Sequence, residues 1–374
     1  MMVKRIASTL AAALLLSLAG CLDSRAPLRV RVDSALIASG RLSGPVSLLG
    51  AEDRLVAVFS DRETISLVVS EIPLGSGLPS SPPPARLVDK IDAAPPLSPS
   101  FGEHAAAMTP EGLSILYLDR EKEDRTVLKL ASQAADTREW RLDILEPAGN
   151  PVALFARPGG GLDCIWASPR SMVLLPAKGP VRNLQDDFQF SGIGSSFARG
   201  DLSGFTVFDE TSQRLLWYRL SGGTAASGWV DGAGPVQASS LRPGVRNAGL
   251  LAVASYDPAR RRIILREQNS DDGFTGTTVT ICDGTRMLFL SPWGRGYLFL
   301  YDERRALGGG REASELSLLA MAGPRYHKKV LSSGGEPLSS MAALLRGDVL
   351  DVLVLRGDEL RLLRVALPSS AAIP

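Results

Sequence analysis

Seven times along this chain, about every fifty residues, two short apolar runs flank a polar turn, a spacing in the range of repeat architectures. The pairs are LVAVFSDRETISLVV (55–69), LSILYLDREKEDRTVLKL (113–130), LDCIWASPRSMVLL (162–175), GFTVFDETSQRLLWYRL (204–220), LLAVASYDPARRRIILRE (250–267), YLFLYDERRALGGGREASELSLLAM (297–321) and LDVLVLRGDELRLLRVAL (350–367). Helical periodicity is nearly absent after residue 21, so each pair reads as a β-hairpin. Six of the turns carry an aspartate: Asp61, Asp119, Asp209, Asp257, Asp302 and Asp358. Ser168 takes that place in the third. Both residue types suit a turn because their side chains bond nearby backbone amides.

Each hairpin is preceded by a small or apolar segment, such as VSLLG, EHAAAM, PVALFA, SSFARG, MLFLS or SSMAALL. The first six are followed by a more polar one; RLVDKID (86–92), EWRLDIL (139–145), TTVTICD (277–283) and HKKVL (327–331) are examples. One repeat is therefore four strands, graded from small and apolar through strongly apolar to charged. Radial repetition demands that gradient: inner strands crowd an axis, middle strands pack blade on blade, and charged outer strands discourage edge-to-edge pairing. The expected fold is all-β, a propeller of seven four-stranded blades. The pattern resembles seven-bladed propellers with a shared closing blade. It has no recurrent tryptophan-aspartate ending, no kelch double-glycine series and no quinone-enzyme tryptophan repeat.

One strand stands apart. Leu28 to Asp33, LRVRVD, alternates apolar and charged residues with no hairpin partner nearby. The seventh hairpin ends at Leu367 with no outer strand after it. Leu28–Asp33 resembles the other outer strands and is expected to complete blade seven, joining the two ends of the chain.

The first 21 residues read as targeting signal. Lys4 and Arg5 form a short positive region, and Ile6 to Leu18 is an apolar run too short to span a bilayer. Leu18-Ala19-Gly20-Cys21 then resembles the lipobox of bacterial lipoproteins. That resemblance implies cleavage between Gly20 and Cys21 and a diacylglycerol on the cysteine sulfur, further acylated (palmitate-type chains). The implied organisation is a signal peptide at 1–20, a short lipidated tether at 21–27, and the propeller at 28–374. Leu22 after the cysteine, where an inner-membrane retention aspartate often stands, points to the outer membrane, with Asp23 one place later. No later stretch is long and apolar enough for a transmembrane helix. The tether from Leu22 to Pro27 spans at most about 20 Å, so the propeller is expected to sit close to the membrane, its rim near Leu28 facing it.

Chemistry is sparse. The net charge is +1 and no basic stripe marks a nucleic-acid partner. His104 falls on an inner strand and His327 on an outer strand of another blade, so they cannot share a metal, and no Cys/His cluster has zinc spacing. Cys164 and Cys282 fall two blades apart and read as separate buried thiols. Asn269-Ser270-Asp271-Asp272-Gly273 has calcium-type ligands, but its glycine comes too early and no closing glutamate follows. Arg-Gly-Asp at 199–201, 346–348 and 356–358, and the glycine runs at 159–161 and 308–310, read as turns. The charged clusters Asp119–Arg125 and Arg260–Arg262 read as solvated tips, and Pro79–Pro84 as a stiff connector. No cofactor, metal or catalytic set is expected.

The function expected is a membrane-anchored, non-enzymatic binding or scaffold propeller for envelope proteins, with Cys21 as its lipid site. The alternative is an envelope enzyme acting on glycans or peptides from one mouth of the channel. Inward Asp, Glu, Tyr and Arg clustered there would distinguish it. A third is binding of a small molecule or glycan in the channel.

Overall fold

The computed structural model describes residues 25–369, apart from 76, 92–102, 121–124, 135–137, 169–170, 187–189, 200–201, 222–223, 243–248, 270–272, 310 and 323–324. The expected signal, Gly20 and Cys21 lie outside the described residues, as do the centre of the calcium-like stretch and parts of the first Arg-Gly-Asp and the second glycine run.

The described residues form seven sheets arranged as blades, and in blades one to six the four antiparallel strands lie in sequence order. From blade one to blade seven the inner strands are Leu42–Gly50, His104–Thr109, Asn150–Ala156, Phe190–Arg199, Gln237–Arg242, Leu288–Trp293 and Leu338–Arg346. Neighbouring inner strands touch around the ring, and blade seven's contacts blade one's. Seven apolar clusters fill the seven gaps between blades. This is where the strongly apolar middle strands are spent. Leu298 and Leu300 of blade six, for example, face Leu350 and Val352 of blade seven. No sheet could bury both faces alone, so each blade depends on the next.

Polar groups reinforce the gaps. Tyr117 donates to Asp89 of blade one at 2.7 Å, Tyr218 to Gln185 of blade three at 2.7 Å, and Tyr297 to Glu267 of blade five at 2.8 Å. Each places a rigid aromatic body in an apolar gap with its hydroxyl satisfied at the edge.

The turn chemistry follows the pattern at four hairpins. Asp61 accepts from the amides of Glu63 and Thr64, Asp209 from those of Thr211 and Ser212, and Asp257 from that of Arg260. Ser168 accepts from the Ser171 amide. Two aspartates behave differently. Asp119 is buried and holds the Lys129 ammonium at 2.5 Å instead of facing solvent. Asp302 lies within a strand, because blade six's hairpin runs on to Gly308 opposite Arg311. The glycines near 308, not the aspartate, make that turn; Gly309 takes φ 61°, which other residues resist.

The ring does close through the N-terminus, but with a different segment. Blade seven's outer strand is Arg31–Ser39, antiparallel to Glu359–Ala366, rather than Leu28–Asp33. Burial explains the shift. Ala35 and Ile37 must point inward to cover blade seven, and only the longer pairing puts them there. The charged half that makes LRVRVD conspicuous is merely the exposed start, where Arg31 pairs with Asp33. Leu28 instead drops into the gap between blades six and seven. Arg25–Pro27, within the expected tether, is a further strand, parallel to blade six's outer strand Arg325–Gly334. The segment thus touches two blades before it closes the ring.

Candidate functional site

Inner strands begin on one face of the disk and run towards the other. The first face also carries the turns between second and third strands, since Leu42 pairs with Asp61 and His104 with Tyr117. We call it the mouth, and the opposite face the base. Around the axis the inner strands leave a cavity of about 740 Å³ that opens at the mouth. Its size suits a small-molecule site.

The cavity is graded along its depth. At the mouth it is lined by Arg62, Glu103, His104, Gln237 and several serines. Deeper, Leu48, Leu49, Ala106, Leu154 and Ala342 take over. Two of the serine hydroxyls join blades. Ser239 donates its amide to Ser195 Oγ at 2.9 Å, and the Val46 amide donates to Ser340 Oγ at 3.0 Å. Gly44 permits the second bond, because a Cβ there would meet Ser340 Cβ at 2.6 Å. The small residues of the inner strands are therefore structural: they let the strands crowd the axis.

Two side chains stand out. Gln237 is 8% exposed, and its Nε2 donates to the Thr206 carbonyl at 3.2 Å. That bond fixes the amide, leaving Oε1 buried without a protein partner. Glu103 enters at the start of blade two's inner strand. Burial alone raises its carboxyl above the usual range, with no cation close enough to lower it. Glu103 is the one carboxylate lining the cavity among the described residues, and no tyrosine joins it. Among these residues no group of three His, Cys, Asp or Glu is placed to hold a metal.

His104 and His327 lie on blade two's inner and blade six's outer strand. Arg-Gly-Asp at 346–348 and 356–358 forms strand-to-strand turns, with Gly347 at φ 60° and Gly357 at φ 55°. Cys164 and Cys282 are free and buried, in blades three and five, with burial pushing each thiol up to about 12. A thiol needs its thiolate to react. Ellman's reagent should therefore leave both unmodified in native protein at pH 8 and titrate both within minutes in denaturant. Fast native labelling of either would contradict this placement.

Glu103 was not singled out in the sequence, where it stands only as the residue ahead of the His-Ala-Ala-Ala run. Gln237 carried no signal, because blade five's inner strand QASSLR has no distinctive composition.

The fold is recognisable in solved structures. Virginiamycin B lyase from Staphylococcus aureus, solved as an inactive variant with quinupristin, matches with a TM-score of 0.55 at 10% identity. That match covers 90% of this chain and 99% of that one. The WD40 domain of Toxoplasma gondii coronin matches at 0.54 and 9% identity, over 92% and 88% of the two chains. YCF48 bound to D1 peptide matches at 0.54 and 10%, over 93% and 99%. The chain is a seven-bladed β-propeller. No protein-family model and no curated protein sequence matches it. Likeness at this identity carries the fold and leaves the function to the site.

Proposed function

We propose that this protein is a lipid-anchored lipoprotein of the bacterial envelope, most consistent with the outer membrane. In this reading its propeller is a non-enzymatic binding module that presents the channel mouth to an envelope partner. Residues 1–20 form the cleaved signal and Cys21 carries the lipid. Several acyl chains on one residue give a stable anchor, each buried methylene adding about 0.8 kcal/mol.

One observation carries the reading: where the chain enters the propeller. Arg25 pairs with Tyr326 at the beginning of blade six's outer strand. Outer strands begin at the base, so the chain arrives there, opposite the mouth. Four residues from Cys21 to Arg25 reach at most about 14 Å. An anchor at Cys21 would hold the base against the bilayer and turn the mouth to the aqueous side. Propellers of this shape include one solved with a bound peptide and one that is a lyase. The mouth here opens into a cavity that, among the described residues, one carboxylate lines, an arrangement suited to holding a ligand.

The test combines fractionation with position-specific crosslinking. Wild type should pellet with membranes, carry acyl mass on the Cys21 peptide, and become soluble as Cys21→Ala. A photo-crosslinker at Glu63, on the mouth, should capture one envelope protein, with yield falling at least several-fold in Cys21→Ala. The same group at Lys178, on the base, should capture lipid or nothing specific. Equal capture from both faces, or capture indifferent to Cys21, would sink the proposal.

A further inference from the structure

We propose that the channel mouth binds a primary ammonium carried on an aliphatic stem, with Glu103 as its charge partner and Gln237 Oε1 as a second acceptor. The proposal deepens the binding function above and rests on it.

The chemistry follows from what the protein leaves unmatched. Gln237 lines the cavity with its side chain nine-tenths buried, and the bond from Nε2 to Thr206 fixes its amide and leaves Oε1 without a protein partner. The Glu103 carboxylate, on the wall of the same cavity, has no partner among the described residues. Both offer acceptor oxygens, so the complementary ligand is a donor. A buried acceptor left unmade costs about 1–3 kcal/mol, more when charged, and a donor ligand recovers that cost. An ammonium brings three donors and the charge opposite to Glu103. Below the mouth, Leu48, Ala106 and Leu154 offer an apolar wall for a stem. A stem buried there replaces water with hydrocarbon, while the charged head stays at the polar rim.

Two other titratable or charged side chains line the cavity among the described residues: Arg62, from the turn of blade one, and His104, next in the chain. Acidification would protonate Glu103, and the loss of its charge disfavours a cation. Burial raises the Glu103 carboxyl, so its charge is lost at a higher pH than an exposed glutamate would lose it. The affinity for an amine falls as pH falls through that value.

The experiment is calorimetric titration of the folded propeller with n-hexylamine and, as a neutral stem of the same length, n-hexanol. Wild type should bind the amine about ten-fold or more tightly than the alcohol near pH 8, with the ratio shrinking towards pH 5. Glu103→Gln should keep the alcohol affinity, which reports an intact cavity, lose about ten-fold for the amine, and show little pH dependence. Nα-acetyl-lysine methylamide separates two sources of the same chemistry: Glu103-dependent binding assigns the site to a lysine side chain of a protein partner. Binding of hexylamine without it assigns a free amine. If the alcohol binds wild type as well as the amine does, the ammonium assignment fails while the channel remains a binding site. If neither binds, the channel reading falls too. Should Glu103→Gln not fold, the pH dependence of the wild-type amine-to-alcohol ratio decides alone.

Discussion

A chain beginning at Gly40 should not fold to a soluble monomer. Removing Arg31–Ser39 strips eight paired positions from Glu359–Ala366 and opens blade seven to water. Leu360, Leu362 and Val365, now fully buried, would lie along an unpaired edge. Ile37 and Leu28 are lost with the strand, at about 1.5–3 kcal/mol each. Those two terms alone rival the lower end of a domain's total stability of about 5–15 kcal/mol, before any ladder bond is counted. The free apolar edge is also a template for aggregation. The expected result is inclusion bodies, or a species that elutes as an aggregate and lacks a cooperative urea transition. A synthetic 25–41 peptide added during refolding should recover soluble, cooperatively unfolding protein. A soluble, cooperative monomer without the peptide would show that the ring does not need its closing strand. Ile37→Asp tests the same strand more gently and should lower the melting temperature by several degrees.

Asp302→Ala should be among the most damaging single substitutions, costing about 3–5 kcal/mol because it breaks a buried ion pair and strips two amides and a hydroxyl of their acceptor. Asp302 is 0% exposed. One carboxylate oxygen accepts from Thr285 Oγ1 at 2.7 Å and from the amides of Arg286 and Met287 at 2.8 Å each. The other accepts from Arg304 Nε at 2.6 Å. Arg304 continues to Glu312 and to the Leu338 carbonyl, both at 3.0 Å, where blade seven's inner strand begins. One carboxylate thus ties the link between blades five and six to the start of blade seven. Met287, which it positions, lines the channel mouth. Urea unfolding should show the midpoint falling with the slope unchanged. Replacing both partners, as Asp302→Leu with Arg304→Met, should cost less than Asp302→Ala alone, since no charge then stays buried. A loss below about 1 kcal/mol for Asp302→Ala would mean that Arg304 finds another partner and the network carries little stability.

These two results concern features that the sequence shows unequally. The closing strand is legible because ring closure leaves an arithmetic remainder: seven hairpins, and one outer strand missing at the end. Its limits are less so. Charge alternation draws the eye to Leu28–Asp33, whereas the pairing is governed by which residues must face inward, Ala35 and Ile37. Asp302 matches six-of-seven turn positions by alignment, yet it sits inside an elongated strand and serves a neighbouring loop. Nothing local distinguishes it from Asp61 or Asp209, which do cap their turns.

By itself the sequence determined the all-β class, the four-strand repeat, the count of seven and the closure through the N-terminus. Those follow from period-two patterning, turn chemistry and the gradient from small to apolar to charged, which are local along the chain. It also placed both histidines on separate blades, and likewise Cys164 and Cys282. Only the tertiary structure decided the site. Glu103 and Gln237 come from different blades, 134 positions apart along the chain. They share a cavity solely because the ring brings inner strands to one axis. Whether a polar atom there is spent or left over depends on neighbours from other blades: Ser340 is used by Val46, Ser195 by Ser239, and Gln237 Oε1 by none. Likewise, the face on which the N-terminal segment arrives depends on strand direction in blade six, a long-range pairing that no local pattern encodes.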